Sequence, residues 1–184
     1  MLPSEGTHHM RENEIRDLVI RLATLADARA IAEIHVASWQ SAYSDLLPEP
    51  FLRNLSVEKR TTLWSDVIAA RRAHVSVASV ADRLVGWIAY GRCRDRDKPA
   101  TWAEIEAMYL DPEYCGQGIG TALIDHASHA LKEQGYEHVS LWVLAGNVRA
   151  RAFYKRTGFV EDNRIKTIEI GASQFFELRY RRVI

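Results

Sequence analysis

Cysteine is nearly absent from this 184-residue chain, which has only Cys93 and Cys115. Two thiols build no disulfide framework, and their spacing is not a zinc signature, so no metal is expected. An excess of charge of one sign is also missing, because 24 Lys and Arg balance 24 Asp and Glu. That balance argues against a nucleic-acid footprint and against a cationic membrane-binding surface. No apolar run approaches the roughly 20 residues that a membrane span needs. No basic-then-apolar leader precedes the folded pattern, so a cytoplasmic setting is expected. Gly-Lys-Ser/Thr does not occur, which excludes a Walker A phosphate loop. Repeats, low-complexity segments and linkers are absent as well. What remains, with 47% hydrophobic residues, is one domain large enough for a substantial core.

Residues 1–17 are polar and aperiodic, with Pro3 and Gly6, and are expected to form a flexible tail ahead of a single domain, 18–184. Leu18 to Leu22 has the composition of a strand. After Thr24, Ala28, Ile31, Ala32, His35 and Val36 recur at three- and four-residue steps, the period of a helix. Pro48-Glu-Pro50 marks a break, and Phe51 to Leu55 a short helical turn. Ser56 is placed to cap a helix over 57–70, with Leu63, Trp64, Val67 and Ile68 on one face. His74 to Val80 and Leu84 to Tyr90 form a β-branched, aromatic hairpin around Ala81-Asp82-Arg83. Thr101 to Leu110 is another strand, Ile119 to Glu133 a helix stopped at Gly135, and His138 to Leu144 a strand. Val148 to Thr157 is a helix ending at Gly158. Phe159 to Asn163 and Gln174 to Arg182 close the pattern as strands. A mixed α/β sheet with helices on both faces follows.

The strongest chemical signal is Met108-Tyr-Leu-Asp-Pro-Glu-Tyr-Cys-Gly-Gln-Gly-Ile-Gly-Thr121. A strand runs through a Pro-stopped turn into a glycine-spaced loop and a helix start. Such a loop brings several backbone N–H groups, and the positive end of a helix, to one point: a phosphate cradle. The dinucleotide fingerprint would require glycine where Thr121 stands, and the loop follows a hairpin, not a first strand. A second segment follows, Asn147 through Phe159. Asn147 sits where an N-cap belongs, and Tyr154 lies about two helical turns beyond it.

Together these two segments resemble the GNAT-type N-acetyltransferase superfamily, which moves acetyl from acetyl-CoA to an amine. The resemblance runs from Leu18 to about Tyr180 and is most specific at 111–121 and at Asn147, Ala150, Phe153, Tyr154, Gly158 and Phe159. It implies a mostly antiparallel central sheet of six or seven strands, splayed in the middle. It further implies that Gly116, Gln117, Gly118, Ile119, Gly120 and Thr121 hold the CoA pyrophosphate through backbone amides. Met108, Tyr109 and Leu110 would line the pantetheine arm, and Asn147 and Phe153 would help bind CoA. One departure stands out. The family's loop usually opens with Arg or Gln, and this chain has Cys115, so a weaker grip on acetyl-CoA is expected.

Acetyl transfer to an amine needs a base for the ammonium, a donor for the developing oxyanion and an acid for the leaving thiolate. The resemblance assigns the acid to Tyr154. On a regular strand Trp102, Glu104, Glu106, Met108 and Leu110 share one face and Ile105, Ala107 and Tyr109 the other. A bulge, frequent in the family at this point, would break that alternation. Glu104 and Glu106 are the expected bases, because Trp142 occupies the alternative position on the next strand and cannot act. Trp39 and Tyr43, one turn apart, are expected to wall the acceptor pocket. His126, His129 and His35 are expected to be structural or solvated. The expected activity is direct acetyl transfer to a primary amine of a small molecule or peptide. The alternative is a non-catalytic acyl-CoA-binding module of the same fold. The closing strands offer an edge through which a homodimer could form.

Overall fold

In the computed structural model, which describes residues 17–184, seven strands form one sheet in the order β1-β2-β3-β4-β5-β7-β6. Apart from Asp17, the expected tail lies outside the described residues. The strands are β1 (Val19–Leu22), β2 (His74–Val80), β3 (Arg83–Arg92), β4 (Trp102–Leu110), β5 (His138–Leu144), β6 (Val160–Ile170) and β7 (Ser173–Val183). The helices are α1 (Ala28–Ala42), α2 (Glu49–Arg53), α3 (Val57–Ala69), α4 (Ile119–Glu133) and α5 (Val148–Arg156). β4 and β5 pair in parallel, which requires a crossover, and α4 supplies it. Every other adjacent pair is antiparallel. The mixed, mostly antiparallel sheet expected from the sequence is therefore the one observed, and it remains open at both edges.

Helices cover both faces. On one, Ile119, Leu123, Ile124, Ala127 and Leu131 of α4 bury their apolar stripe against Val85, Ile88, Val139 and Leu141. On the other, Ala28, Ile31 and Ile34 of α1 and Trp64 of α3 pack on Val75, Val77, Trp87 and Ala89. Ser56 caps α3 as expected, its hydroxyl accepting from the Lys59 N–H at 3.2 Å. Leu63, expected on the buried face of α3, is exposed. The expected break falls between α1 and α2: Pro48 is the N-cap of α2, and Pro50 occupies its first turn, where the missing N–H costs nothing. Strand β6 runs on to Ile170, beyond the expected Asn163, because a register shift between Glu161 and Ile165 absorbs the interruption.

The feature that positions the site is a bulge in β4. Ala89 pairs with Ala107 and Tyr90 with Ile105, so Glu106 faces no residue of β3. One extra residue reverses the alternation of everything after it. Ala103 and Ile105, and then Met108 and Leu110, face the α4 layer, whereas Ala107 and Tyr109 face the α1 layer. Regular alternation, which would have put Ile105 with Ala107 and Tyr109, ends at this point.

Candidate active site

Pairing between β4 and β5 stops at Ile105 and Leu141. Both strands continue, to Leu110 and Leu144, without each other. The β4 edge beyond Ile105 thus has backbone N–H and C=O groups that β5 does not satisfy, a template for an extended ligand that carries amides. A cleft fills the opening. Of the residues singled out in the sequence, Trp39, Tyr43, Glu106, Met108, Tyr109, Leu110, Gly120, Asn147, Phe153 and Tyr154 line it. A second cavity adjoins it and is lined by Gly116, Gly118, Gly120 and Thr121.

At the junction of the two cavities the chain turns into α4. Gly118 is its N-cap in the left-handed region, φ 86°, a conformation that costs glycine little. The N–H groups of Ile119, Gly120 and Thr121 have no intrahelical acceptor and carry the positive end of the helix. Gly120 is needed for closeness: a Cβ there would lie 3.1 Å from Cζ of Phe153. Without one, the Phe153 ring closes the space between α5 and the head of α4. The Ile119 side chain is buried in the core, and the Gln117 amide donates to the Glu113 carbonyl at 3.0 Å, so any part these two play in binding runs through the backbone. Asn147 caps α5, its Oδ1 accepting from the Ala150 N–H at 3.0 Å.

The two glutamates separate sharply. Glu104 is 3% exposed, and both its oxygens are gripped by Arg94, Nε at 3.0 Å and the terminal nitrogen at 2.6 Å. It lines no cavity. Glu106 lines the cleft and meets the same arginine once, at 3.1 Å. Burial raises the Glu106 pKa, Arg94 opposes the rise, and the charge of Glu104 adds to it. Arg94, in a stretch whose sequence read only as a charged connection, is therefore part of the site. Trp142 is held by Asp95, to which its indole N–H donates at 3.1 Å, with the Lys166 ammonium 4.3 Å from the ring.

Tyr154 packs edge-on against Phe153 and Phe159, with centroids 5.3 and 5.8 Å apart. Burial, and secondarily the neighbouring Tyr43, push its hydroxyl above the usual range, so it holds its proton at neutral pH. Trp39 and Tyr43 meet edge to face at 5.2 Å and wall the α1 side of the cleft. Glu177 also lines this cleft and pairs with Lys166 at 3.0 Å. Pattern reasoning missed it, because its strand alternation marks only a solvated position. Among the described residues no group of three or more His, Cys, Asp or Glu is placed to hold a metal ion. Among the same residues, no helix is long and apolar enough to cross a membrane.

A sheet opened between parallel neighbours, with a helix N-terminus at one end and a protonated tyrosine and a carboxylate both lining the cleft, fits the acyltransferase class that the sequence resembles. Residues 29–159 match the acetyltransferase (GNAT) family, and the chain belongs to that family. It is 26% identical over 165 residues to the uncharacterized N-acetyltransferase YuaI of Bacillus subtilis, covering 84% of this chain and 92% of YuaI. It is 27% identical over 149 residues to a spermidine N(1)-acetyltransferase of Thermoplasma acidophilum, covering 78% and 89%. A 64-residue stretch is 47% identical to the uncharacterized N-acetyltransferase MJ1207 of Methanocaldococcus jannaschii, covering 35% of this chain and 28% of that protein. Among solved structures, the PaiA N-acetyltransferase of Thermoplasma acidophilum, in complex with coenzyme A, superposes with a TM-score of 0.71 at 20% identity, covering 91% of this chain and 99% of that one. The chain is thus an acyltransferase of the N-acetyltransferase class.

Proposed function

We propose that this protein transfers the acetyl group of acetyl-CoA directly to a primary amine of a small molecule or peptide, with both substrates bound together. One observation carries the reading: the opening between β4 and β5 runs into the glycine cradle of α4, and Glu106 and Tyr154 line the same opening. Acetyl-CoA brings the activated acyl group. The N–H groups of Ile119 to Thr121 hold its pyrophosphate, and the free edge of Met108 to Leu110 pairs with the pantetheine amides. Phe153 and Asn147 close over the arm. Glu106 takes the proton from the acceptor ammonium, directly or through one water. A backbone N–H of the Met108–Leu110 edge receives the negative charge that develops on the carbonyl oxygen. Tyr154 gives its proton to the departing thiolate. Glu104 has a different role: it fixes Arg94, which in turn orients Glu106.

At the acceptor end, Trp39 and Tyr43 offer aromatic faces while Glu106 and Glu177 offer negative charge, a combination that suits a cationic amine. The likeness to a spermidine acetyltransferase makes polyamines the first acceptors to try. Thermal unfolding with acetyl-CoA and with free CoA tests the carrier, since a ligand that binds only the native state raises the unfolding temperature. Thiol release across a panel of amines tests the reaction. No shift with millimolar CoA would refute the carrier. Binding without turnover on any amine would leave a non-catalytic acyl-CoA-binding module.

A further inference from the structure

Arg179 of β7 is 2% exposed, and a buried guanidinium is tolerated only where its donors are met. Three carboxylates meet them. Nε donates to Asp162 at 2.7 Å, one terminal nitrogen to Asp95 at 2.9 Å, and both terminal nitrogens to Asp97, at 2.8 and 2.7 Å. Asp162 lies on β6, the neighbouring strand, but Asp95 and Asp97 belong to the connection between β3 and β4. That connection therefore reaches past β4 and is fastened to β7. Asp95 also accepts from the Trp142 indole at 3.1 Å. Trp142, which pairs with Arg179, is the first residue of β5 beyond its pairing with β4. Lys98 adds a further tie, its ammonium 2.9 Å from Asp162. Arg94 points the other way, gripping Glu104 and meeting Glu106 on β4. The segment 93–98 thus bridges β4 and β5 at the place where they part. Because the Arg94 side chain is 61% exposed, its place against Glu106 depends on where its backbone is held.

We propose that Arg179 is a positioning residue for Glu106: by fastening Asp95 and Asp97 it fixes the segment 93–98, and through that segment holds Arg94 against the carboxylate. This deepens the proposed function above and rests on Glu106 being the base. Arg179 lines neither cavity, so it acts on the reaction only through the segment. Burial disfavours the charged form of Glu106, Arg94 favours it, and Glu104 again disfavours it, so the seating of Arg94 sets the balance. The other groups on the cleft do not titrate against it near neutral pH. Burial raises Tyr43, Tyr109, Tyr154 and Cys115, which keep their protons, and Glu177 is tied to Lys166 at 3.0 Å. Arg149 and Arg156 carry the constant charge of a guanidinium. Within the network, Arg179 holds Asp97 down to about 2, so the fastening persists across the same range.

The test is the titration of Glu106 itself, followed by carboxyl carbon NMR of the full chain labelled at glutamate, with the signal assigned by its loss in Glu106→Gln. Four variants are compared: Arg94→Ala, Arg179→Met, Asp97→Ala, and Arg94→Ala with Asp97→Ala. The Asp97 side chain is 41% exposed, so that variant should fold even if Arg179→Met, which strands buried carboxylates, does not. Arg94→Ala should raise the Glu106 midpoint by about one pH unit, Arg179→Met by most of that, and Asp97→Ala in the same direction by less. The shared direction is the signature. Arg179→Met removes a positive charge and Asp97→Ala a negative one, so a direct field would raise the midpoint in the first and lower it in the second. In the double variant the midpoint should stay where Arg94→Ala puts it. The acid limb of turnover, read as thiol release from acetyl-CoA with spermidine, should move with the midpoint while KM for acetyl-CoA holds. An unmoved midpoint in Asp97→Ala or in a folded Arg179→Met would overturn the proposal. So would a downward move in Asp97→Ala, or a double variant that exceeds Arg94→Ala. An acid limb that survives Glu106→Gln would instead overturn the base assigned above, whatever the midpoints do. No turnover by the parent would sink acetyl transfer to spermidine, and the midpoints would still decide the coupling.

Discussion

The two halves of β4 differ in what lies beside them. From Trp102 to Ile105 the strand is paired on both sides, with β3 and with β5; from Glu106 onward only β3 remains. Each half carries one glutamate, and both glutamates share Arg94. In the closed half, Glu104 is buried and held by two side-chain hydrogen bonds, a fixed counter-charge that lines neither cavity. In the open half, Glu106 keeps 22% of its side chain exposed and looks into the cleft. Residue type, strand and partner are the same, yet one side chain is a brace and the other faces the cleft. A bulge and the departure of β5 make the difference.

Exchanging amide for carboxylate at the two positions gives the largest effects and should break the comparison cleanly. Glu106→Gln removes the proposed base, so turnover should fall by roughly 10²- to 10⁴-fold, with an unfolding temperature close to the parent. The base works only when deprotonated. Burial raises its pKa against the pull of Arg94, so turnover should climb with pH through a value above the ordinary glutamate range, and Glu106→Gln should lose that acid limb. Glu104→Gln should do the opposite. It breaks a buried grip on a guanidinium that is itself 61% exposed, so solvent softens the cost to about 1–3 kcal/mol of stability. Turnover should fall modestly, through the looser Arg94. Full turnover in Glu106→Gln, or a dead but normally stable Glu104→Gln, would reverse the assignment.

A smaller effect is expected at Tyr154, which borders the open half from α5. Tyr154→Phe keeps the ring between Phe153 and Phe159 and removes only the proton donor. Turnover should drop by about 10- to 100-fold, while CoA affinity and stability hold. Steady-state kinetics with a good and a poor thiol leaving group would sharpen the point, because a lost acid hurts the poor leaving group more. An equal loss for both would make Tyr154 a packing residue.

Much of this was legible in the chain. Strands and helices follow from period and caps: Asn147, Ser56, Gly135 and Gly158 stand where helices begin and end, because those residues solve local hydrogen-bond and backbone problems that do not depend on the rest of the fold. The glycine-rich turn into α4 was legible for the same reason. The division of labour between Glu104 and Glu106 was not. It depends on a one-residue bulge against β3 and on an arginine ten positions away, neither of which leaves a local signal. Leu63 and the full length of β6 were misjudged because exposure and pairing are settled by neighbours distant in sequence.

The smallest effect concerns what supports the open half in the absence of β5. Tyr109 is stacked from the α1 side by His35, with centroids 4.8 Å apart and planes 19° apart, within a layer that includes Trp39, Trp64 and Trp87. Nδ1 of His35 accepts from the Trp64 indole at 3.1 Å, which leaves the proton on a buried Nε2. Burial, and then the charge of Arg60, push the ring's pKa down to about 3. In the unfolded chain it titrates near its ordinary value of about 6.5. Between those values the unfolded state binds the extra proton and the native state does not, so stability rises with pH and is lost as pH falls. The contribution of His35 should approach about 1.4 kcal/mol per pH unit between about pH 6 and pH 5, where Asp27 and Asp97, held down to about 2 by their arginines, stay ionised in the native state. His126, whose pKa burial also lowers, adds to the slope, and Glu106, whose pKa burial raises, opposes it. His35→Gln keeps an acceptor for Trp64 but has nothing to titrate, so the slope measured by urea unfolding across that window should fall by the His35 contribution. If the slope is undiminished in the variant, the aromatic layer is not where the proton is refused, and the open half of β4 owes its support to packing alone.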